Sequence, residues 1–282
     1  MGLDMSKQSS LVTLTTDFGL QDEYVAVMKG VILNTCQNAR IIDLCHNINP
    51  QDIFGAAYIL SSAYRFFPSG TIHVVVVDPG VGSVRRIICL KTDKYTFLAP
   101  DNGVLSLIAD GEKSLQIINV TNYKYFLPEV SNTFHGRDVF APVAGHLMNG
   151  VDIKELGDEI FEIEKIETPA PVLSANGIAT AQIIYIDRFG NLITNINRGL
   201  LKSFQIDGMC CALSITVANR RIKKINQSYS EVEEGGLVAL FGSAGYLEIA
   251  VNKANAKELL NVEKGDTVMV NGSKYIFNEG ID

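Results

Sequence analysis

An α/β domain with a mostly parallel central sheet, followed by a smaller all-β, barrel-like domain, is the fold class the sequence predicts. Three observations predict it. Over roughly the first 165 residues, β-rich runs alternate with segments of helical periodicity. Val74, Val75, Val76 and Val77 follow one another inside the run Thr71–Val77, as in a strand buried on both faces of a parallel sheet. Near Thr168-Pro169-Ala170-Pro171 the helical periodicity stops, and short strands separated by turns take over. A length of 282 residues accommodates two such domains, placed at 1–168 and 169–282.

Each element follows in order. Leu11–Thr16 reads as a strand ending at Asp17. Asp22–Thr35 carries Val25, Met28, Val31 and Ile32 at helical spacing, and Ala39–Leu44 is a second strand. Asn49-Pro50 opens a second helix, with Asn as cap, Pro at the first helical position and Asp52 in the first turn. Its apolar face is Ile53, Ala56, Ala57, Leu60 and Tyr64. Strands at Ile87–Leu90, Tyr95–Leu98 and Leu115–Val120 precede a helix at Val139–Met148, capped by Asp138. The second domain carries strands at Ile178–Ile186, Cys211–Val217, Leu237–Phe241, Tyr246–Val251 and Thr267–Val270, with a polar loop at Asn226–Gly236.

Composition narrows the function classes. Hydrophobic residues make up 47% and charged residues 20%, enough apolar material for a core and too much for a disordered chain. The balance of 24 Lys+Arg against 31 Asp+Glu, net −7, lacks the basic footprint of a nucleic-acid binder. The cluster Arg220-Arg221-Ile222-Lys223-Lys224 reads as a solvated strand face or turn. No apolar run reaches the length of a membrane span, and Met1–Ser10 is polar. Five cysteines occur without a Cys-x-x-Cys, so neither a disulfide framework nor a zinc site is expected. Cys36, Cys45 and Cys89 read as small buried side chains, and Cys210 and Cys211 complete the set. The expected location is a reducing cytoplasm.

Four segments carry candidate chemistry. Thr15-Thr16-Asp17-Phe18-Gly19 lies at the C-terminal end of the first strand, the edge where open parallel sheets bind ligands. Asp-Phe-Gly also occurs in protein kinases, but no Gly-rich loop precedes it and no His-Arg-Asp loop exists. Asp78-Pro79-Gly80-Val81-Gly82-Ser83-Val84-Arg85-Arg86 follows the valine strand; Gly80 and Gly82 allow close backbone approach to a ligand. A structural Asp78–Arg85 pair is its main alternative reading. Asn132-Thr133-Phe134-His135-Gly136-Arg137-Asp138-Val139-Phe140-Ala141-Pro142 places His135 in a turn before a helix. His46, His73 and His146 lie in or beside apolar elements and read as structural. Ile186-Asp187-Arg188-Phe189-Gly190-Asn191-Leu192-Ile193-Thr194-Asn195 and Phe241-Gly242-Ser243-Ala244-Gly245-Tyr246-Leu247-Glu248-Ile249-Ala250 read singly as hairpin turns. An exposed aromatic beside an amide also suits a purine, one flat face and one hydrogen-bonding edge. No His-x-His or His-x-x-x-His spacing indicates a metal.

Taken together, in this order and across both domains, the four segments resemble the S-adenosyl-L-methionine (SAM) hydroxide adenosyltransferases, SAM hydrolases related to the SAM-dependent fluorinase and chlorinase. The resemblance runs from Leu11 to about Ala254. It implies an N-terminal α/β domain, a C-terminal β-barrel, and a homotrimer with active sites at subunit interfaces. It implies SAM as substrate, no cofactor, and no nucleic-acid or membrane partner. By resemblance, Asp17 grips the ribose hydroxyls, and Asp78, Arg85 and His135 form a hydrolytic set, with Arg86 the alternative to Arg85. Phe189 and Asn191 match adenine-site residues, Asp187 the acid near the methionine amino group, and Ser243 a residue holding the methionine carboxylate. Ala244 could add only its backbone N–H. The halogenases differ, with Tyr at the position of Asp78, Thr at Val81, Ser or Gly at Gly136, an aromatic at Gln51 and Arg at Ala244. Hydrolysis is therefore expected over halogenation. The remaining alternatives are a non-catalytic adenosine- or SAM-binding protein, and a hydrolase using Asp17 and Asp78 with a divalent metal.

Overall fold

The computed structural model describes residues 11–167, 169–175, 177–203 and 212–273. Met1–Ser10, Thr168, Cys210 and Cys211 lie outside them. The chain divides into two units, Met1–Glu167 and Thr168–Asp282.

The first unit runs β1 (Leu11–Thr16), α1 (Tyr24–Thr35), β2 (Arg40–Cys45), α2 (Ile53–Ala63), β3 (Ile72–Val76), β4 (Ile87–Lys91), β5 (Thr96–Pro100), α3 (Ser106–Gly111), β6 (Gln116–Val120), α4 (Ala141–Met148) and β7 (Gly157–Ile160). Its seven strands lie in the order β2-β1-β3-β5-β4-β6-β7. The first four are mutually parallel, and the sheet continues antiparallel through β4, β6 and β7.

The valine strand β3 lies between β1 and β5. Alternation sends Val74 and Val76 to one face, against Met28 and Ile32 of α1 and Val143 and Leu147 of α4. Val75 and Val77 go to the other, against Ala56, Ala57 and Leu60 of α2 and Ile108 of α3. Each such valine is worth about 1.5–3 kcal/mol relative to exposure, which is why a continuous apolar run persists there. His73, also on β3, is fully buried among Tyr64, Phe67, Tyr95 and Phe97, stacked on Phe97. Burial lowers its pKa to about 4, so the ring is neutral.

Two helix starts differ from the sequence expectation. The cap of α2 is Asp52, whose Oδ1 accepts from Gly55 N–H at 3.0 Å, rather than Asn49. Gln51 adopts a left-handed φ of 66°, so the helix cannot begin until after it. Asp138 is not the cap of α4. A π-helical turn, Gly136–Phe140, leads into α4, and Asp138 lies buried inside it. Pro142 lacks the N–H that would bond the Asp138 carbonyl. That carbonyl instead accepts from Leu127 N–H at 2.9 Å.

The second unit runs β8 (Val172–Leu173), β9 (Ile178–Ile186), β10 (Leu192–Asn197), α5 (Arg198–Ser203), β11 (Ala212–Val217), β12 (Arg220–Ile222), β13 (Leu237–Phe241), β14 (Tyr246–Val251), α6 (Ala256–Leu260) and β15 (Thr267–Ser273). The sheet order is β12-β11-β15-β9-β10-β14-β13, all antiparallel, with β8 added beside β9. Just past β12, Asn226 N–H donates to Ala239 O of β13 at 2.7 Å, which nearly closes the sheet into a barrel. Ala181, Ile183, Leu192, Ile215, Leu247, Ile249 and Val268 fill it. The basic cluster lies on and just beyond edge strand β12, with Arg220, Arg221, Lys223 and Lys224 exposed. Cys36 and Cys89 are buried thiols, and burial pushes Cys89 up to about 12; Cys45 is only half-buried.

Candidate active site

In the first unit the chain leaves β1 for β2 on one side and returns to β3 on the other. That reversal of direction opens a crevice at the C-terminal ends of β1 and β3. Asp17 follows β1 and Asp78 follows β3 by two residues. Both line one cavity of about 330 Å³, together with Gln51, Val81, Phe134 and His135.

Asp17 is held from the α2 side. Gln51 N–H donates to Asp17 Oδ2 at 2.7 Å, and the left-handed turn at Gln51 aims that N–H. Phe18, Tyr24 and Phe134 pack edge-on or tilted at 5.1–5.9 Å, and Phe18 and Phe134 line the cavity.

Asp78, Arg85 and His135 converge. Arg85 Nε donates to both Asp78 oxygens, at 2.9 and 3.0 Å, and its Nη2 also donates to Oδ2. The same Nη2 lies 2.9 Å from His135 Nδ1. The Asp78 and Arg85 side chains are 4% and 10% exposed, so this ion pair is shielded from water and salt. Arg86 turns away to Asp101, at 2.7 Å from Nε, so of the two neighbouring arginines it is Arg85 that contacts Asp78 and His135. Burial and the Arg85 charge hold His135 below its ordinary pKa, against Asp78, Asp138 and the Ser131 backbone. The imidazole is neutral at neutral pH.

Two loops must dock for this contact to form. Gly82 has φ 76°, and a Cβ there would lie 2.2 Å from the Asn132 carbonyl oxygen. Glycine thus lets the Asp78–Arg86 loop lie against the loop bearing His135. Asp138 braces that second loop: its Oδ2 accepts from Ser131 N–H at 2.8 Å, and Arg137 pairs with it. Sequence reading missed both Asp138's brace and the Gln51 contact. The only signal for either was an Asn-Pro-Gln turn and a Pro four residues past Asp138.

The second unit carries a separate, open cavity of about 650 Å³, lined by Asp187, Phe189, Asn191, Tyr229 and Val251–Asn255. Asp187 folds the turn. Its Oδ1 accepts from Phe189 N–H and Asn191 N–H at 2.8 and 2.9 Å, and its Oδ2 from Asn191 Nδ2 at 2.9 Å. Gly190, at φ 81°, lies so close to Asn255 that any Cβ would meet Oδ1 at 1.9 Å. Phe189 stands 76% exposed on this rigid turn, while Asn191 is 8% exposed. Ser243 and Ala244 form the tip of the β13–β14 hairpin and do not line this cavity. Tyr229 was absent from the sequence reading because it lies in a polar loop.

Among the described residues, no three His, Cys, Asp or Glu side chains cluster as metal ligands, and no helix is long and apolar enough to cross a membrane.

Comparison with known proteins bears on the same two units. Residues 12–157 match the SAM hydroxide adenosyltransferase N-terminal domain, and residues 181–269 its C-terminal domain. A Thermus thermophilus protein named (R)-S-adenosyl-L-methionine hydrolase is 37% identical over 263 residues, 90% of this chain and 96% of that one. One of the same name from Methanocaldococcus jannaschii is 36% identical over 269 residues, 92% and 95% of the two chains. Fluorinases match at only 24–27% identity. The crystal structure of an uncharacterized conserved protein from Thermotoga maritima superposes with a TM-score of 0.85 at 36% identity, covering 92% of this chain and 99% of that one. With both domain models matched in order over most of its length, the chain belongs to the SAM hydroxide adenosyltransferase family.

Proposed function

We propose that the protein hydrolyses SAM to adenosine and L-methionine by substitution at ribose C5′. The observation that carries this reading is the Asp78–Arg85–His135 set, of which Asp78 and His135 line one crevice with Asp17. The C5′–O bond forms as the C5′–S bond breaks; its electron pair returns to sulfur, methionine leaves neutral at sulfur, and one water proton is released. A sulfonium leaves without general-acid help, so the task is to hold one water in line.

In this mechanism Asp17 fixes the ribose, and the orienting contribution is that of any preorganised reactant pair. Arg85 stabilises hydroxide character on the attacking water. Its bond to Nδ1 leaves His135 with its proton on Nε2, a donor able to orient the water. Asp78 retains lone pairs beyond those used by Arg85 and takes the proton as the C–O bond forms. Phe189 and Asn191 contact adenine, Asp187 the methionine ammonium, and Ser243 with the Ala244 N–H the methionine carboxylate. These contacts reside in two units, and we assign them to neighbouring subunits of a cytoplasmic homotrimer. No metal or cofactor takes part in this scheme.

The test is incubation with SAM and chromatography for adenosine and methionine, with and without chelator, and with chloride or fluoride in excess. Because the hydrolase relatives are named for the (R) form, each sulfonium epimer is assayed separately. Equimolar adenosine and methionine, insensitive to chelation, supports the reading. A dominant 5′-halo-adenosine would favour the halogenase alternative, and binding without turnover the non-catalytic one.

A further inference from the structure

Glu248 presents a physical puzzle that the reaction scheme does not use. It lies on β14 between Leu247 and Ile249, which point into the barrel core. Alternation therefore turns Glu248 to the opposite face, yet it is only 7% exposed. Among the described residues no Lys or Arg pairs with it. A carboxyl buried without a cation is costly, and an apolar residue of similar size would be more stable. Gly242 makes room for it, since a Cβ there would lie 2.4 Å from Glu248 Oε2. The phenol of Tyr229 donates to its Oε1 at 2.7 Å. Tyr229 is 41% exposed and lines the cavity holding Asp187, Phe189 and Asn191.

We propose that Glu248 is a positioning residue that fixes the Tyr229 ring as a wall of the nucleoside cavity, and so sets affinity for the adenosine moiety. The inference rests on the reading that this cavity takes the nucleoside. Tyr229 lies in a single helical turn, Tyr229–Glu231, in the long β12–β13 connection. Glu231 anchors the turn's backbone by accepting from Gln227 N–H and Asn226 Nδ2. That anchor holds the backbone, while the bond to Glu248 holds the phenol end of the ring. Burial, and secondarily Asp187, raise the Glu248 carboxyl above its ordinary pKa. Burial and Glu248 raise Tyr229, which keeps the phenol a donor.

The experiment measures the adenosine Kd, the KM and kcat for SAM, and Tm, for Glu248→Gln, Glu248→Ala, Tyr229→Phe, the Ala/Phe double variant and Phe189→Ala. Loss of a hydrogen bond to a buried acid should weaken adenosine binding and raise KM about tenfold in Glu248→Ala and Tyr229→Phe, with kcat nearly unchanged. Glu248→Gln keeps an acceptor and should stay within about threefold. The double variant should be no worse than either single change, because both remove one interaction. If Glu248→Ala does not fold, the half-exposed Tyr229→Phe carries the same test. Wild-type affinity in Tyr229→Phe, or additive losses in the double variant, overturns the proposal. If Phe189→Ala loses affinity while Glu248→Ala and Tyr229→Phe do not, the nucleoside cavity stands and the positioning role falls. If all three keep wild-type affinity, both fall.

Discussion

Arg85 Nη2 lies 2.9 Å from His135 Nδ1, and because a guanidinium can only donate, the imidazole accepts there and carries its proton on Nε2. Arg85 also grips both oxygens of Asp78, so the three side chains form one preorganised unit. His135→Ala or Asp78→Asn should therefore lower kcat by roughly 10²–10⁴-fold, the range for lost acid–base and positioning help. The Kd for adenosine should change little, since Asp17, Phe189 and Asn191 remain. Isothermal titration beside steady-state kinetics makes the separation, and near-normal kcat in both variants would remove the set from the mechanism.

The docking of the two loops at Gly82 gives a second prediction. In Gly82→Ala the methyl group would lie 2.2 Å from the Asn132 carbonyl at a left-handed φ. Strain and overlap should cost ~1–3 kcal/mol of stability. A shift of about 1 Å between Arg85 and His135 should reduce kcat about 10²-fold. Val84→Ala, at a fully exposed side chain in the same loop, is the control. Equal kcat in the two variants would show that the loop contact does not set the geometry.

Three histidines whose pKa the fold lowers contribute to the pH dependence of stability. His73 is lowered from 6.5 to about 4, and His135 and His146 are lowered too. Below pH 6.5 the unfolded chain binds protons that the folded chain refuses. Stability is therefore full above that value and declines as pH falls toward 4. His73 alone accounts for about 3 kcal/mol across that window. Urea midpoints between pH 8 and 4 should be flat and then fall; a rise on acidification would contradict the neutral, buried assignment.

Much of the site was legible because strand ends announce themselves. Asp17 and Asp78 terminate two β-rich runs, and parallel strands place such ends on one edge. Arg85 against Arg86 was not legible: both are spaced to reach Asp78, and only the fold sends Arg86 to Asp101. Asn49-Pro50 is a sound helix opening by local chemistry, but tertiary demand for the Gln51 N–H at Asp17 moves the cap to Asp52. Asp138 read as a cap because its role depends on Ser131, seven residues upstream. Tyr229 and Glu248 are 19 positions apart, and no local pattern joins a loop aromatic to a strand acid. The barrel strands β13 and β14 were read to the residue, whereas β10 was hidden inside a motif read as a turn.

Division of the ligand contacts between subunits is tested by complementation. Asp17→Ala and Asn191→Ala should each be nearly inactive alone. In mixed assemblies of the proposed trimer carrying both, some neighbouring pairs would combine an intact Asp17 with an intact Asn191, and activity should return. Two different affinity tags on co-expressed chains isolate the mixed species. Verified mixed trimers without recovered activity would assign each site to a single chain and leave the hydrolase reading in place.

Attack of water on C5′ of the ribose is read out by oxygen labelling. SAM is turned over in water enriched in oxygen-18, and both products are analysed by mass spectrometry. One labelled oxygen in adenosine, at the 5′-hydroxyl, is expected for each turnover, with methionine unlabelled. Unlabelled adenosine, or label in methionine instead, would contradict it.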